Sequence, residues 1–261
     1  MSVRISVITI CFNNLAELLS TCVSVDAQDL LPYEHWIIDG STNGDIRNYL
    51  ETHDQPPYRK WVSERDSGIA DAFNKGVMRS AGDVINMLNS ADTYFDSGVL
   101  KIVAEQFEMN PQMMWLHGKY QLQRRGVWVT IGKPFEAGKL YRGMRSLSHQ
   151  SMFVRRGLHD RFGLYDLSLK NAMDYDFVCR ISVESFHFMS QPLVIFAPGG
   201  VTDSNYLRSL SETKSVYKKH FGGTLMLEIW QARLKFLHYI LKSPIGGALY
   251  KLKVWVKLEN A

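Results

Sequence analysis

Short apolar runs alternate with segments of helical periodicity along most of this chain. Val3–Ile10 (VRISVITI) is β-branched and unbroken, the pattern of a strand buried on both faces. Thr9–Asn14 forms its polar exit, and Leu15, Leu18, Leu19 and Cys22 follow at helical spacing, with Asn14 placed to cap them. His35–Asp39 reads as a second strand ending on an acid, and Arg59–Ser63 as a third. Asp71, Asn74 and Lys75 lie at i, i+3 and i+4, so they share one helix face; Ala72, Phe73, Val77 and Met78 line the other, and Gly82-Asp83 stops the helix. Val84–Leu88 is again a buried strand. Ser97–Glu108 carries Leu100, Val103, Ala104 and Phe107 on one helical face, and Trp115–Leu122 and Val127–Ile131 are strands around the turn Arg124-Arg125-Gly126. Leu147–Val154 and Gln191–Phe196 add two strands, the second followed by a bend at Pro198–Thr202. Strands alternating with helices predict an α/β fold with a mainly parallel sheet and flanking helices. From Leu207 the chain reads as a helical tail, divided by Pro244 and Gly246-Gly247.

In such sheets ligands bind outside the carboxyl ends of the strands. Asp39 stands there, able to accept from a base N–H or a ribose hydroxyl, or simply to close an Asx turn. Asn89-Ser90-Ala91-Asp92 follows the Val84–Leu88 strand. Asp174 and Asp176 flank Tyr175, and i, i+2 residues do not share a helix face. Asp174, nearer the open end, could serve as a base. The positive helix end predicts a lowered pKa for it, though both acids could serve only that dipole. Between Gly132 and Ser148 the chain is basic and aperiodic; Lys133, Lys139, Arg142 and Arg145 either face a diphosphate or are solvated.

Composition narrows this modestly. With 261 residues, 46% apolar and 21% charged, the chain suits one large α/β domain with an appendage. A net charge of +4 is too small to argue for nucleic acid. Three cysteines (Cys11, Cys22, Cys179) without C-x-x-C spacing suggest reduced thiols and a cytoplasmic setting. The first residues lack the pattern of a signal peptide. CFNNLAE follows the first strand where a dinucleotide-binding dehydrogenase would carry G-x-G-x-x-G.

SERDSGIADAFNKGVMRSAGDVINMLNSAD (residues 63–92) resembles the central segment of family 2 glycosyltransferases, with their E-x-D-x-G-I-x-D-A-x-N-K-G run and following L-N-x-x-D. Further matches come in order at Met1–Asn14, Trp36–Asp45, His149–Phe153, Met173–Arg180 and Gly199–Thr202, covering roughly the first 205 residues. The resemblance, to the exopolysaccharide or colanic-acid type, implies a GT-A catalytic domain over 1–205, with a donor half to about 95, an acceptor half after it, and a tail over 206–261. It implies an inverting hexosyltransferase. The donor would be a nucleotide-diphosphate sugar, UDP-linked by expectation, and the acceptor a lipid-linked saccharide or exopolysaccharide precursor. Thr9, Asn13, Asp39, Asp66, Asp71, Asn74 and Lys75 would contact the donor, with strand-end and capping roles the alternative for Thr9 and Asn13. His149, Gln150 and Asp176 would lie near acceptor or diphosphate, and Asp174 would be the base. Asp92 would bind a divalent cation, Mg²⁺ or Mn²⁺. Many relatives have a second acid where this chain has Ala91, and some have glycine there; that departure motivates a non-catalytic sugar-nucleotide-binding module as the alternative function. The Asp39 loop is also one residue shorter than usual.

The tail carries a separate expectation. From Leu225 to Ala261, Arg233, Lys235, Lys242, Lys251, Lys253 and Lys257 face only Glu228 and Glu259, interleaved with Trp230, Phe236, Tyr239, Tyr250 and Trp255. With Leu234, Leu237 and Leu241 as an apolar stripe, this predicts either packing on the catalytic domain or peripheral attachment to an anionic membrane, the inner face of the plasma membrane.

Overall fold

The computed structural model describes residues 2–124, 126–145, 147–197 and 206–243. The strands are β1 (Ile5–Cys11), β2 (Glu34–Asp39), β3 (Arg59–Ser63), β4 (Val84–Met87), β5 (Thr93–Tyr94), β6 (Trp115–Arg124), β7 (Val127–Ile131), β8 (Met152–Arg155) and β9 (Phe186–Phe196). They form one sheet in the order β3-β2-β1-β4-β8-β6-β9-β5, with β7 paired to the far end of β6. Pairing is parallel from β3 through β4 and between β6 and β9. The insertion of β8 between β4 and β6 is antiparallel on both sides. The expected mainly parallel sheet is therefore present.

Helices α1 (Leu15–Asp26), α2 (Asp45–Thr52), α3 (Ile69–Arg79), α4 (Val99–Met109), α5 (Arg156–Phe162), α6 (Met173–Arg180), α7 (Tyr206–Phe221) and α8 (Leu225–Lys242) flank it. Ile8, Phe73, Val77, Trp115, Phe177 and Val178 share one core, while Val7, Leu100, Phe107 and Phe153 belong to another. The backbone of α3 lies directly on β1: a Cβ at Gly76 would stand 2.3 Å from Ile8 Cγ2. The helix buries Ala72, Phe73 and Val77 as expected, but Met78 is 58% exposed, since it turns past the edge of that stripe.

Three short elements had no periodic signal to announce them: β5, α2 and α5. β9 is longer than the apolar run Gln191–Phe196 suggests. It begins at Phe186 and passes through polar Ser190 and Gln191, where its register against β6 shifts. The bend at Pro198–Thr202, Arg125 of the β6–β7 turn, and the tail beyond Ser243 lie outside the described residues. Cys11, Cys22 and Cys179 are buried free thiols.

Candidate active site

Strand register builds the floor of the site. Cys11, Asp39 and Ser63 are direct neighbours across β1, β2 and β3 at their carboxyl ends. Asp39 is 1% exposed; its Oδ1 accepts the Ser41 N–H at 3.0 Å and its Oδ2 accepts the Ser63 hydroxyl at 2.7 Å. Beside it, a Cβ at Gly40 would stand 1.8 Å from Asp66 Oδ2, so the Asp66 carboxylate occupies the place a side chain would take. Asp66 Oδ1 accepts the Gly68 N–H at 2.9 Å. Asn13, in left-handed backbone at φ 55, accepts the N–H groups of Thr42 and Asn43 at 3.0 and 3.1 Å. Asn14 does not cap α1 with its side chain. Its Nδ2 donates instead to Ser90 Oγ at 2.6 Å, joining the exits of β1 and β4. Phe12 stands 57% exposed on this rim.

After β4, Ala91 adopts φ 80, a left-handed conformation that favours glycine. Asp92 is 4% exposed and its Oδ1 accepts the Ala197 N–H at 2.9 Å. Burial pushes its carboxyl up to about 7, against the opposing pull of the Ala197 N–H and the Gln150 side chain. Gln150 is itself positioned from the core: Asn86 on β4 donates to the carbonyls of Gln150 and Met152 at 2.9 and 2.7 Å. The preceding residue of that turn, His149, bonds through Nε2 to the Tyr165 hydroxyl at 2.8 Å, and burial pushes it down to about 4. It is neutral at pH 7.

Asp174 opens α6 beside Tyr165. Its Oδ1 accepts the Tyr175 N–H at 2.7 Å. The dipole argument from sequence anticipates a lowered pKa, and the structure reverses it: withdrawal from water outweighs the backbone N–H groups and pushes the carboxyl up to about 6. Before it, Glu212 of α7 accepts the N–H groups of Lys170, Asn171 and Ala172 at 3.1, 2.8 and 3.2 Å. A tail residue thus satisfies the orphan donors that lead into the Asp174 helix.

Comparison with known proteins bears on the family and the fold. The glycosyl transferase family 2 profile matches residues 6–162. The chain is 33% identical over 181 residues to the uncharacterized glycosyltransferase Rv1514c of Mycobacterium tuberculosis, covering 69% of each protein. The chain belongs to glycosyl transferase family 2. A "PGL/p-HBAD biosynthesis glycosyltransferase" of Mycobacterium bovis is 25% identical over 64% of this chain and 65% of its own. Among solved structures, the first 349 residues of Staphylococcus aureus TarS superpose with a TM-score of 0.63 at 16% identity, covering 93% of this chain and 73% of that one. A Pyrobaculum calidifontis mannosyltransferase, solved with GDP-Man and Mn²⁺, gives 0.63 at 16% identity, covering 100% and 82%. The fold is GT-A, and the protein is a glycosyltransferase.

Not every residue of the family 2 pattern gathers at the carboxyl ends of the strands. Asn13, Asp39 and Asp66 gather at the strand ends. Thr9 does not: it is fully buried in β1, bonded to His35 at 2.9 Å. Asn74 clamps Tyr165, donating to its carbonyl at 2.9 Å and accepting its N–H at 2.8 Å, so its amide is spent. Lys75 donates to the Arg65 carbonyl at 2.6 Å and lies 3.7 Å from Asp71, whose carboxylate accepts the Ser67 N–H; both brace the Asp66 loop. Asp176 points away from Asp174, enclosed by Arg180, Lys219 and His220 at 3.0, 3.3 and 2.8 Å. These three partners leave it nothing to offer an acceptor. Two open depressions lie at the opposite ends of β1 and β4, around Arg4 and Arg155, away from this chemistry.

Among the described residues, no three His, Cys, Asp or Glu side chains gather as a metal site. Asp92 contributes one carboxylate, and the nearby Asn89 amide oxygen is buried without a partner. Such a donor set suits a cation shared with substrate oxygens rather than one caged by protein alone. Sequence reasoning missed Ser41, Ser63, Asn86 and Glu212. Each is an ordinary polar residue until the fold brings it to its partner.

Proposed function

We propose that this glycosyltransferase moves a hexosyl group from a nucleotide-diphosphate sugar to a hydroxyl of a lipid-linked saccharide or exopolysaccharide precursor, with inversion. The observation that carries this is the placement of Asp174: it stands half-buried in the first turn of α6 with one carboxylate oxygen on the Tyr175 N–H, and partial withdrawal from water raises it to about 6, ionised at neutral pH yet basic enough to take a proton. It accepts the acceptor hydroxyl's proton as that oxygen bonds to the anomeric carbon. The bond from that carbon to the diphosphate oxygen breaks, and the nucleoside diphosphate leaves. Asp39, Asp66 and Asn13 would hold nucleoside polar groups, and the exposed Phe12 offers a ring to the base. Asp92 would hold a divalent cation, which when bound neutralises diphosphate charge. TarS structures containing UDP and UDP-GlcNAc and the mannosyltransferase containing GDP-Man support this donor class and favour UDP as the first base to test.

For the tail, peripheral attachment to an anionic cytoplasmic membrane surface is supported by α8. No helix among the described residues is long and apolar enough to cross a membrane. Leu227 and Leu234 dock α8 on the protein, so Leu234 does not belong to an exposed stripe; Leu225, Met226, Ile229 and Phe236 form the face that remains open.

The test is a screen of UDP-, GDP- and dTDP-sugars with and without Mn²⁺, read by thermal shift and by turnover. One base should stabilise the protein, more so with Mn²⁺. Asp174→Asn should keep that shift and lose turnover. Stabilisation by none of them, or full turnover in Asp174→Asn, refutes the reading. NMR of the product linkage decides inversion.

A further inference from the structure

Three guanidinium groups surround one indole where α8 meets the turn before His149. Arg142, Arg145 and Arg233 stand 5.2, 5.1 and 4.9 Å from the Trp230 ring centroid. Tyr141 packs edge-on against the same ring. Cation–π attraction holds each arginine, but the three positive charges repel one another. No carboxylate among the described residues pairs with any of them. The nearest candidates by sequence are taken: Glu136 pairs with Lys139, and Glu228 with Lys214 and Lys218. Arg142 Nε donates to the Tyr141 hydroxyl, while Arg145 and Arg233 are exposed.

We propose that Arg142, Arg145 and Arg233 around Trp230 bind the phosphate head of an amphiphilic lipid, the anchor of the saccharide that this enzyme extends. Planar guanidinium forks match phosphate oxygens, and a cluster of them without a carboxylate selects a multiply charged anion. The lipid follows from the neighbours of Arg233. Ile229 and Leu237 lie one turn to either side, and Met226 and Phe236 are next on the same face; their exposures are 54%, 37%, 53% and 64%. A phosphate on the arginines thus has an apolar track for its chain. The site is also fixed relative to the proposed base: Tyr175, the residue after Asp174, donates its hydroxyl to the Leu140 carbonyl at 2.5 Å, in the turn that carries Arg142. The inference rests on the lipid-linked acceptor of the proposed function.

The experiment titrates the full chain with farnesyl phosphate below its micellar concentration, with inorganic phosphate, and with UDP and GDP. Farnesyl phosphate should bind much more tightly than inorganic phosphate. Arg145→Gln and Arg233→Gln should each weaken it about tenfold, the effect of one charged hydrogen bond, with Lys at either position intermediate. Phe236→Ser should weaken farnesyl phosphate and leave inorganic phosphate unchanged. Nucleotide binding by every variant should match wild type, which also certifies folding. Equal affinity for both phosphates makes this a small-anion site and overturns the lipid. Unchanged farnesyl phosphate affinity in the arginine variants overturns the site, and loss of nucleotide binding instead assigns the arginines to the donor. A wild type that turns over nucleotide sugar but ignores farnesyl phosphate refutes this inference alone; one that binds farnesyl phosphate but no nucleotide sugar refutes the proposed donor chemistry alone.

Discussion

Replacing Asp92 by asparagine should make the protein more stable at neutral pH while disabling it. In the unfolded chain the Asp92 carboxyl titrates near its ordinary 3.8; in the folded state burial holds it at about 7. Between those values the folded state binds a proton that the unfolded state has lost, so stability falls as pH rises from about 4 to about 7 and is level above. The interval spans about three pH units at about 1.4 kcal/mol each, so the full effect is about 4 kcal/mol. The substituted amide would still accept the Ala197 N–H with its oxygen and has no charge to desolvate. Urea unfolding followed by tryptophan fluorescence from about pH 4.5 to about 8.5 measures the difference, provided that the slope against urea is unchanged. Asp174 titrates in the wild type and the variant alike, so the difference isolates Asp92. We expect Asp92→Asn ahead by about 1 kcal/mol at about pH 4.5 and by about 2–4 kcal/mol at about pH 8. Nucleoside diphosphate with Mn²⁺ should close that gap by stabilising only the wild type. Two curves that stay parallel across the range would show that Asp92 is not strained by burial, and the argument for its ligand role would lose its physical basis.

Three further outcomes are expected. For Asp174, with Mn²⁺ in excess to keep Asp92 ionised, kcat/KM should rise with pH through an apparent value of about 6, because the base acts only when ionised; Asp174→Asn should lower transfer by roughly 10²–10⁴ and abolish that limb, and an unchanged limb under those conditions excludes the role. Ala91→Gly relieves φ 80, a gain of about 1–2 kcal/mol against about 0.5–1 kcal/mol of added chain entropy; a rise of about 0.5–1 kcal/mol in unfolding free energy should result, and a loss refutes the strain. Gly40→Ala drives a methyl into Asp66 and should weaken nucleotide binding about tenfold or more by calorimetry, whereas an unaltered Kd removes the Asp66 carboxylate from the donor site.

The elements legible in the sequence are those whose signal is local. β1, β2 and β4 announce themselves by apolar runs, and α3 by its spacing. The ordered motifs identify the family because each is a short contiguous string. Carboxylates at strand ends, Asp39 and Asp92, follow from the same logic, since the end of a parallel strand is where the chain leaves the core. What the string of letters does not contain is which polar group meets which. Asn74 and Asp71 stand on one helix face, yet a residue 91 positions away claims Asn74, while Asp71 braces its own loop. Asp174 and Asp176 are separated by one residue, but a helix sends them to different sides, and Arg180 of the same helix with Lys219 and His220 of α7 occupy Asp176 alone. Burial, too, is a property of the assembled fold. The helix dipole favours an ionised Asp174, and the packed walls around it favour the neutral form; the larger of the two opposing effects emerges only once those walls are in place. Likewise Trp230 meets Arg142 and Arg145 from a distant segment of the chain, and no periodicity in either segment foretells their meeting.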